Sequence, residues 1–173
     1  QKIIAQCLVA VPLTLYIVSQ SSAVWIPFTN YYLELGLFKY IFVFIAIIAT
    51  TNAVNLTDGV DGLSSSVTIL VMMFYTYVAV KYDFVSIKLF TVITIVSLLG
   101  FLLYNKNPAK IFMGDVGSLA LGGAVVALAG LTQTLLLIFI VGIIYFAETL
   151  SVTIQVLYYK KTKKRVFKMA PLH

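Results

Sequence analysis

Asn52, Asn55, Asp58 and Asp61 recur at every third position of the stretch Asn52-Ala53-Val54-Asn55-Leu56-Thr57-Asp58-Gly59-Val60-Asp61-Gly62. A helical turn would bring successive members of that row close together. Glycine after each aspartate frees the backbone for a turn or for close approach to a ligand. Carboxylates and amides gathered where an apolar run stops form the oxygen-rich kind of site that hard cations take. The same letters also make a polar helix cap followed by a turn, so the stretch alone leaves both readings open. A second polar island, Tyr104 to Ser118, centres on Asp115 in Gly114-Asp115-Val116-Gly117-Ser118. Helix starts favour anions through free amides and the macrodipole, and a carboxylate there also presents oxygen to a metal. As a simple cap Asp115 would need no further role. Lys106 and Lys110, in the same island, read as ordinary loop charges, because nothing else in the sequence aims them at a phosphate.

These polar groups must be positioned by apolar elements. Hydrophobic residues make up 61% of the 173 and charged residues 10%, with a mean hydropathy of +1.04. Soluble domains carry about 25% charged residues, so the composition is that of a membrane protein. The net charge of +6 is not a nucleic-acid signature, because the basic residues cluster in loops and at one end between apolar runs. Cys7 is the single cysteine, which excludes an intrachain disulfide and leaves a small apolar filler. A spanning helix needs about 20 mostly apolar residues. Six candidates fit, at about 3–19, 37–54, 62–80, 86–104, 117–131 and 135–158, in one all-α polytopic bundle over 1–173. Between the first two, Val24-Trp25-Ile26 and Tyr31-Tyr32-Leu33 flank Pro27-Phe28-Thr29-Asn30 and suit a small interfacial β-hairpin near 24–33.

Alternating six spans puts the N-terminus, 55–61, 105–116 and the C-terminal tail on one side. That side carries Lys2, Lys106, Lys110, Lys160, Lys161, Lys163, Lys164, Arg165 and Lys168, against only Lys39, Lys81 and Lys88 on the other. The excess of lysine and arginine makes the first side cytoplasmic, with both chain ends there and the hairpin periplasmic. Asp58, Asp61 and Asp115 then share the cytoplasmic face. The fifth span is rich in small residues, and pairs such as Ala120/Ala124 and Gly123/Ala127 suit close helix approach. The sixth carries Glu148, Ser151 and Gln155 along one face. A glutamate inside an apolar helix must face protein or a wet cavity, either as a site or as a hydrogen-bonded structural group.

Three same-side carboxylates with amides and lysines suit a Mg²⁺-assisted phosphate site, where catalysis is positioning plus neutralisation of charge developing on a pyrophosphate. A transporter would place its ionisable groups nearer the bilayer midplane, where only Glu148 approaches. A purely structural role does not account for three carboxylates on one side.

The two polar stretches, extended to Asn52–Leu63 and Phe112–Gly123, and the ending Phe167-Lys168-Met169-Ala170-Pro171-Leu172-His173 resemble the phospho-N-acetylmuramoyl-pentapeptide transferases. These belong to the polyprenyl-phosphate N-acetylhexosamine-1-phosphate transferases of bacterial inner membranes. The resemblance runs through the whole chain. Sister enzymes that use UDP-N-acetylglucosamine share the Asp-Gly-Xaa-Asp-Gly and Gly-Asp-Xaa-Gly-Ser cores, and the Met-Ala-Pro-Leu-His ending points to the muramoyl branch. The resemblance implies Mg²⁺-dependent transfer from UDP-MurNAc-pentapeptide to undecaprenyl phosphate, giving lipid I and UMP, by a protein expected to be a homodimer. It implies Asp115 as the metal-binding carboxylate and Asn55, Asp58 and Asp61 lining the cleft. Gly59, Val60 and Asp61 would meet the uracil, with Phe112 stacking on it, Asn105 nearby and Gln155 on the nucleoside side. His173 matches the first residue of a histidine triplet. Val60 stands where the family more often has leucine. The family has ten spans, of which these match the fourth to ninth. An aspartate pair expected upstream and the later histidines lie outside the sequence, so the 173 residues alone are expected to be inactive.

Overall fold

A computed structural model describes residues 2–20 and 23–167. Helix α1 (Lys2–Gln20) leads into a two-stranded antiparallel hairpin, β1 (Ala23–Trp25) and β2 (Tyr32–Glu34). Helices α2 (Phe38–Thr57), α3 (Leu63–Lys81), α4 (Val85–Asn105) and α5 (Gly114–Leu131) follow. A 3₁₀ turn at Leu135–Leu137, a short α6 (Ile138–Val141) and a long α7 (Ile143–Thr162) complete it. Five helices, α1 to α5, are long and apolar enough to cross a membrane, so the chain is a multi-pass membrane protein. The hairpin falls where the sequence expects it, with Trp25 opposite Tyr32. The Trp25 amide donates to the Gln133 carbonyl at 3.2 Å and fastens the hairpin to the turn after α5.

The sixth span departs from expectation. The sequence reads 135–158 as one apolar span, whereas the structure bends it by 78° between Val141 and Ile143. Gly142 takes φ −97°, ψ 25° there, outside the helical basin. A Cβ at Gly142 would stand 2.8 Å from the Ile138 carbonyl oxygen and 3.1 Å from the Tyr145 ring. That crowding favours glycine at the corner, and an unbroken apolar run gives hydropathy no sign of it. Beyond the bend α7 turns Tyr145, Glu148 and Ser151 inward. The Tyr145 and Thr68 hydroxyls lie 2.7 Å apart and tie α7 to α3.

Helix α2 is the centre of the bundle, packing on α1, α5 and α7, while α3 pairs chiefly with α4. Val43, Ala53 and Val54 on α2 and Val125, Val126 and Ala129 on α5 are fully buried. Lipid tails are as apolar as leucine, so association in a membrane depends on close packing rather than on expulsion of water. Gly122 supplies the closest approach: a Cβ there would lie 2.6 Å from the Thr51 Cα and 3.1 Å from the Thr50 carbonyl. Gly130 similarly receives the Ile17 side chain. The sequence expects Gly123 to serve this purpose, yet nothing lies within 4 Å of its Cβ direction. The small-residue pattern is real, but its facing side sits one residue away.

Candidate active site

The Asp115 end of the bundle gathers the N-terminus of α1, the α2–α3 turn and the α4–α5 loop. Helix α2 runs three residues past its expected end, so Asn52 and Asn55 are helical and Asp58 is the residue that ends it. The three-residue row therefore breaks at Asp58. Asp61 lies in the following turn, and Gly62 takes φ 76°, a left-handed conformation that disfavours side chains.

Asn55 is the hub. Its Nδ2 donates to Asp115 Oδ1 at 2.9 Å and to Ser118 Oγ at 2.8 Å. Its Oδ1 accepts from the Lys2 ammonium at 2.7 Å, and the same ammonium lies 3.0 Å from Asp115 Oδ2. Ser118 is fully buried and donates back to the Gly114 carbonyl at 2.9 Å, which fixes the first turn of α5 beneath Asp115. The Asp58 carboxylate accepts the Gly114 N–H and lies within electrostatic reach of Asp115. Burial is the main reason its pKa is raised above the usual carboxylate range; the Asp115 charge adds to the rise and the Gly114 N–H opposes it. Ionised Asp58 therefore disfavours the folded state without a counter-charge. The stability that this shift contributes is present at low pH and lost as pH rises through the raised value. A cation between Asp58 and Asp115 removes that penalty.

Two further residues shape the mouth. Asp61 Oδ2 accepts the Ala109 N–H at 2.9 Å and holds the 107–109 loop against the α2–α3 turn. Asn105, 4% exposed, accepts from the Gly62 N–H and the Ser65 hydroxyl and donates to the Ile111 carbonyl at 2.9 Å. Asn105 thus staples the α2–α3 turn, α3 and the α4–α5 loop together. Its replacement by alanine leaves Gly62 N–H and Ile111 C=O without their partner. A loss of about 1–3 kcal/mol is expected, measurable as a lowered melting temperature, whereas a ligand-contacting asparagine would leave melting unchanged.

The glycosyl transferase family 4 model matches residues 1–134. The chain belongs to that family. A phospho-N-acetylmuramoyl-pentapeptide-transferase from Clostridium botulinum (strain Eklund 17B / Type B) is 51% identical over the whole chain, which covers 54% of that relative. The transferase of the same name from Acetivibrio thermocellus is 49% identical over the whole chain, with 54% of it covered. That from Clostridioides difficile (strain 630) is 46% identical, again over the whole chain, with 55% covered. The chain spans about half the length of the curated relatives it matches.

Within this family 4 glycosyl transferase, the structure brings Asn55, Asp58 and Asp115 into one cluster. Gly59 and Val60 form the exposed turn beside it, and Phe112, 75% exposed, stands two residues before the α5 start. Asn52 turns away from the row and exchanges amide hydrogen bonds with Gln6 of α1. Gln155 is not in the cluster: its Oε1 accepts the Val166 and Phe167 amides at 3.1 and 3.0 Å, folding the basic segment back on α7. Glu148, buried at 7% exposure, lies on the inward face of α7. His173 lies outside the described residues. Lys2 is the residue that sequence reading passes over, because counting charges for topology treats every lysine alike. A signal was present: Lys2 and Gln6 are four apart on α1, a polar stripe on an apolar helix.

Proposed function

We propose that this chain is the central part of a transferase that moves phospho-MurNAc-pentapeptide from UDP-MurNAc-pentapeptide to undecaprenyl phosphate, releasing UMP. The Lys2–Asn55–Asp115 cluster carries the reading. An ammonium lodged between an amide oxygen and a carboxylate oxygen marks the place where positive charge is best held. The names of the relatives direct the reading to this reaction.

The donor set fits Mg²⁺. Among the described residues no three histidine, cysteine or acidic side chains gather around one point. Two carboxylates and one amide oxygen suit an ion that keeps several waters and takes its other ligands from phosphates. Asp115 would hold it, with Asn55 Oδ1 and Asp58 at its side. When bound, Mg²⁺ neutralises charge developing on the pyrophosphate and the departing UMP. Lys2 adds an ammonium at the same mouth, a point charge suited to phosphate oxygens. Asn55 keeps Asp115 oriented, and Asp58 holds the Gly114 amide that opens α5. Gly59 and Val60 offer backbone and an apolar edge to the uracil, and Asp61 sets the loop opposite them. The open Phe112 ring provides a stacking face.

Phe112→Ala should leave melting unchanged, since the ring is largely uncovered. It should raise KM for the UDP donor by about tenfold, within the range of one lost aromatic–base stack, while Phe112→Tyr restores it. UMP release by the full-length protein, supplied with undecaprenyl phosphate and either UDP donor, tests the substrate. Preference for UDP-MurNAc-pentapeptide is expected, and preference for UDP-N-acetylglucosamine would move the protein to the sister branch.

A further inference from the structure

The opposite end of the bundle holds a cavity of about 660 Å³ between the hairpin, the α3–α4 turn and the end of α5. Its size lies within the range of small-ligand pockets. It is well removed from Asp115, since it is built from the C-termini of α3 and α5 and the N-terminus of α4.

Three features of its lining point to one chemistry. Among the described residues that line it, Lys81 is the only cation and none is a carboxylate. The ammonium makes no ion pair among the described residues and rests 5.5 Å from the Tyr82 ring centroid. The side-chain amides of Asn30 and Gln133 also line the cavity and make no hydrogen bond within the described residues. Trp25, Tyr32 and Tyr82 form its aromatic walls. An ammonium without an ion pair, beside unused amide donors, suits an anion, and aromatic walls at the ends of spans suit the depth of lipid headgroups.

The walls are fixed in place. Trp25 Nε1 donates to the Thr29 carbonyl at 2.8 Å and closes the hairpin loop. The Trp25 N–H reaches Gln133 across the cavity's rim. Phe28, Asp83 and Gln133, one in each of the three contributing loops, all have positive φ. Such backbone is held only where the surroundings over-determine it.

We propose that this cavity binds the headgroup of an anionic phospholipid from the leaflet opposite the Asp115 end. Lys81 meets the phosphate, and the Asn30 and Gln133 amides meet headgroup oxygens. Phosphatidylglycerol, which adds hydroxyls for the amides, is the probe. The site is independent of the transferase reading.

The test uses full-length protein in detergent with equal phosphatidylglycerol and phosphatidylcholine, counting retained lipids by native mass spectrometry. Phosphatidylglycerol should be retained preferentially. Lys81→Gln should lower that preference by about fivefold, the worth of one basic residue near a lipid surface. Lys88→Gln, on α4 but outside the lining, should leave it intact. Asn30→Ala should shift it in the same direction as Lys81→Gln and carries the test if Lys81→Gln misfolds. No preference in the native protein, unchanged retention in both cavity variants, or equal loss in Lys88→Gln would overturn the site. Displacement by excess inorganic phosphate would overturn the lipid and leave a free-anion site.

Discussion

Asp115→Asn should lower turnover of the full-length transferase by about 10²–10³-fold, the scale lost with one preorganised electrostatic group at a reacting centre. The substitution keeps shape and removes charge. Asp115 now accepts from Asn55 through one oxygen and from Lys2 through the other. An amide in its place must turn an NH₂ toward one of those donors, so one contact becomes repulsive and Lys2 loses its counter-charge. Asp115 is 66% exposed, so the fold should persist, with an unaltered melting curve. Loss of turnover without loss of melting separates this role from a helix cap, whose removal would register in stability. Asn55→Ala should follow the same pattern less cleanly, because buried Ser118 also loses the Asn55 amide that donates to it.

Gly122→Ala should be nearly as damaging, although the glycine touches no substrate. Its new Cβ would lie 2.6 Å from the Thr51 Cα, and neither that atom nor the helix behind it has a rotamer to escape into. Helix α5 must move away from α2. Overpacking of this kind costs about 1–3 kcal/mol. The same movement separates Asp115 on α5 from Asn55 on α2, and a misplacement of about 1 Å costs on the order of 10²-fold in rate. Gly123→Ala is the control: nothing stands within 4 Å of its Cβ, and alanine favours the helix. The two neighbouring variants should therefore diverge, Gly122→Ala in both melting and turnover and Gly123→Ala in neither. Equal behaviour would mean that the α2–α5 contact does not position the site.

The spans were legible because a membrane demands length and apolarity, and both are carried by composition. The hairpin was legible from aromatic strands around Pro27. The break at Gly142 was not, since every residue around it is apolar and the constraint is a steric one at a single carbonyl. Nor was the phase of α5. A helix apolar all round leaves no stripe to say which glycine faces its neighbour, so Gly123 was as plausible as Gly122. At the site, residue type and spacing mark Asn55, Asp58, Asp61 and Asp115, and the fold brings Asn55, Asp58 and Asp115 together. Asp61, through Oδ2, and Asn105 also hold the loops of the mouth. Those loop contacts depend on which backbone groups lie in reach, and only the tertiary structure determines them. For Lys2 the local signal is the polar stripe it forms with Gln6, which marks an inward face but not its partner, because Asp115 lies 113 residues away.

We propose that Asn55, Asp58 and Asp115 hold a divalent cation where the Lys2 ammonium now rests. Mn²⁺ titrated into the full-length protein and followed by electron paramagnetic resonance tests it without recourse to turnover. One bound Mn²⁺ per chain, displaced by Mg²⁺ and lost in Asp115→Asn, is the expected result. Undiminished binding in Asp115→Asn would contradict it.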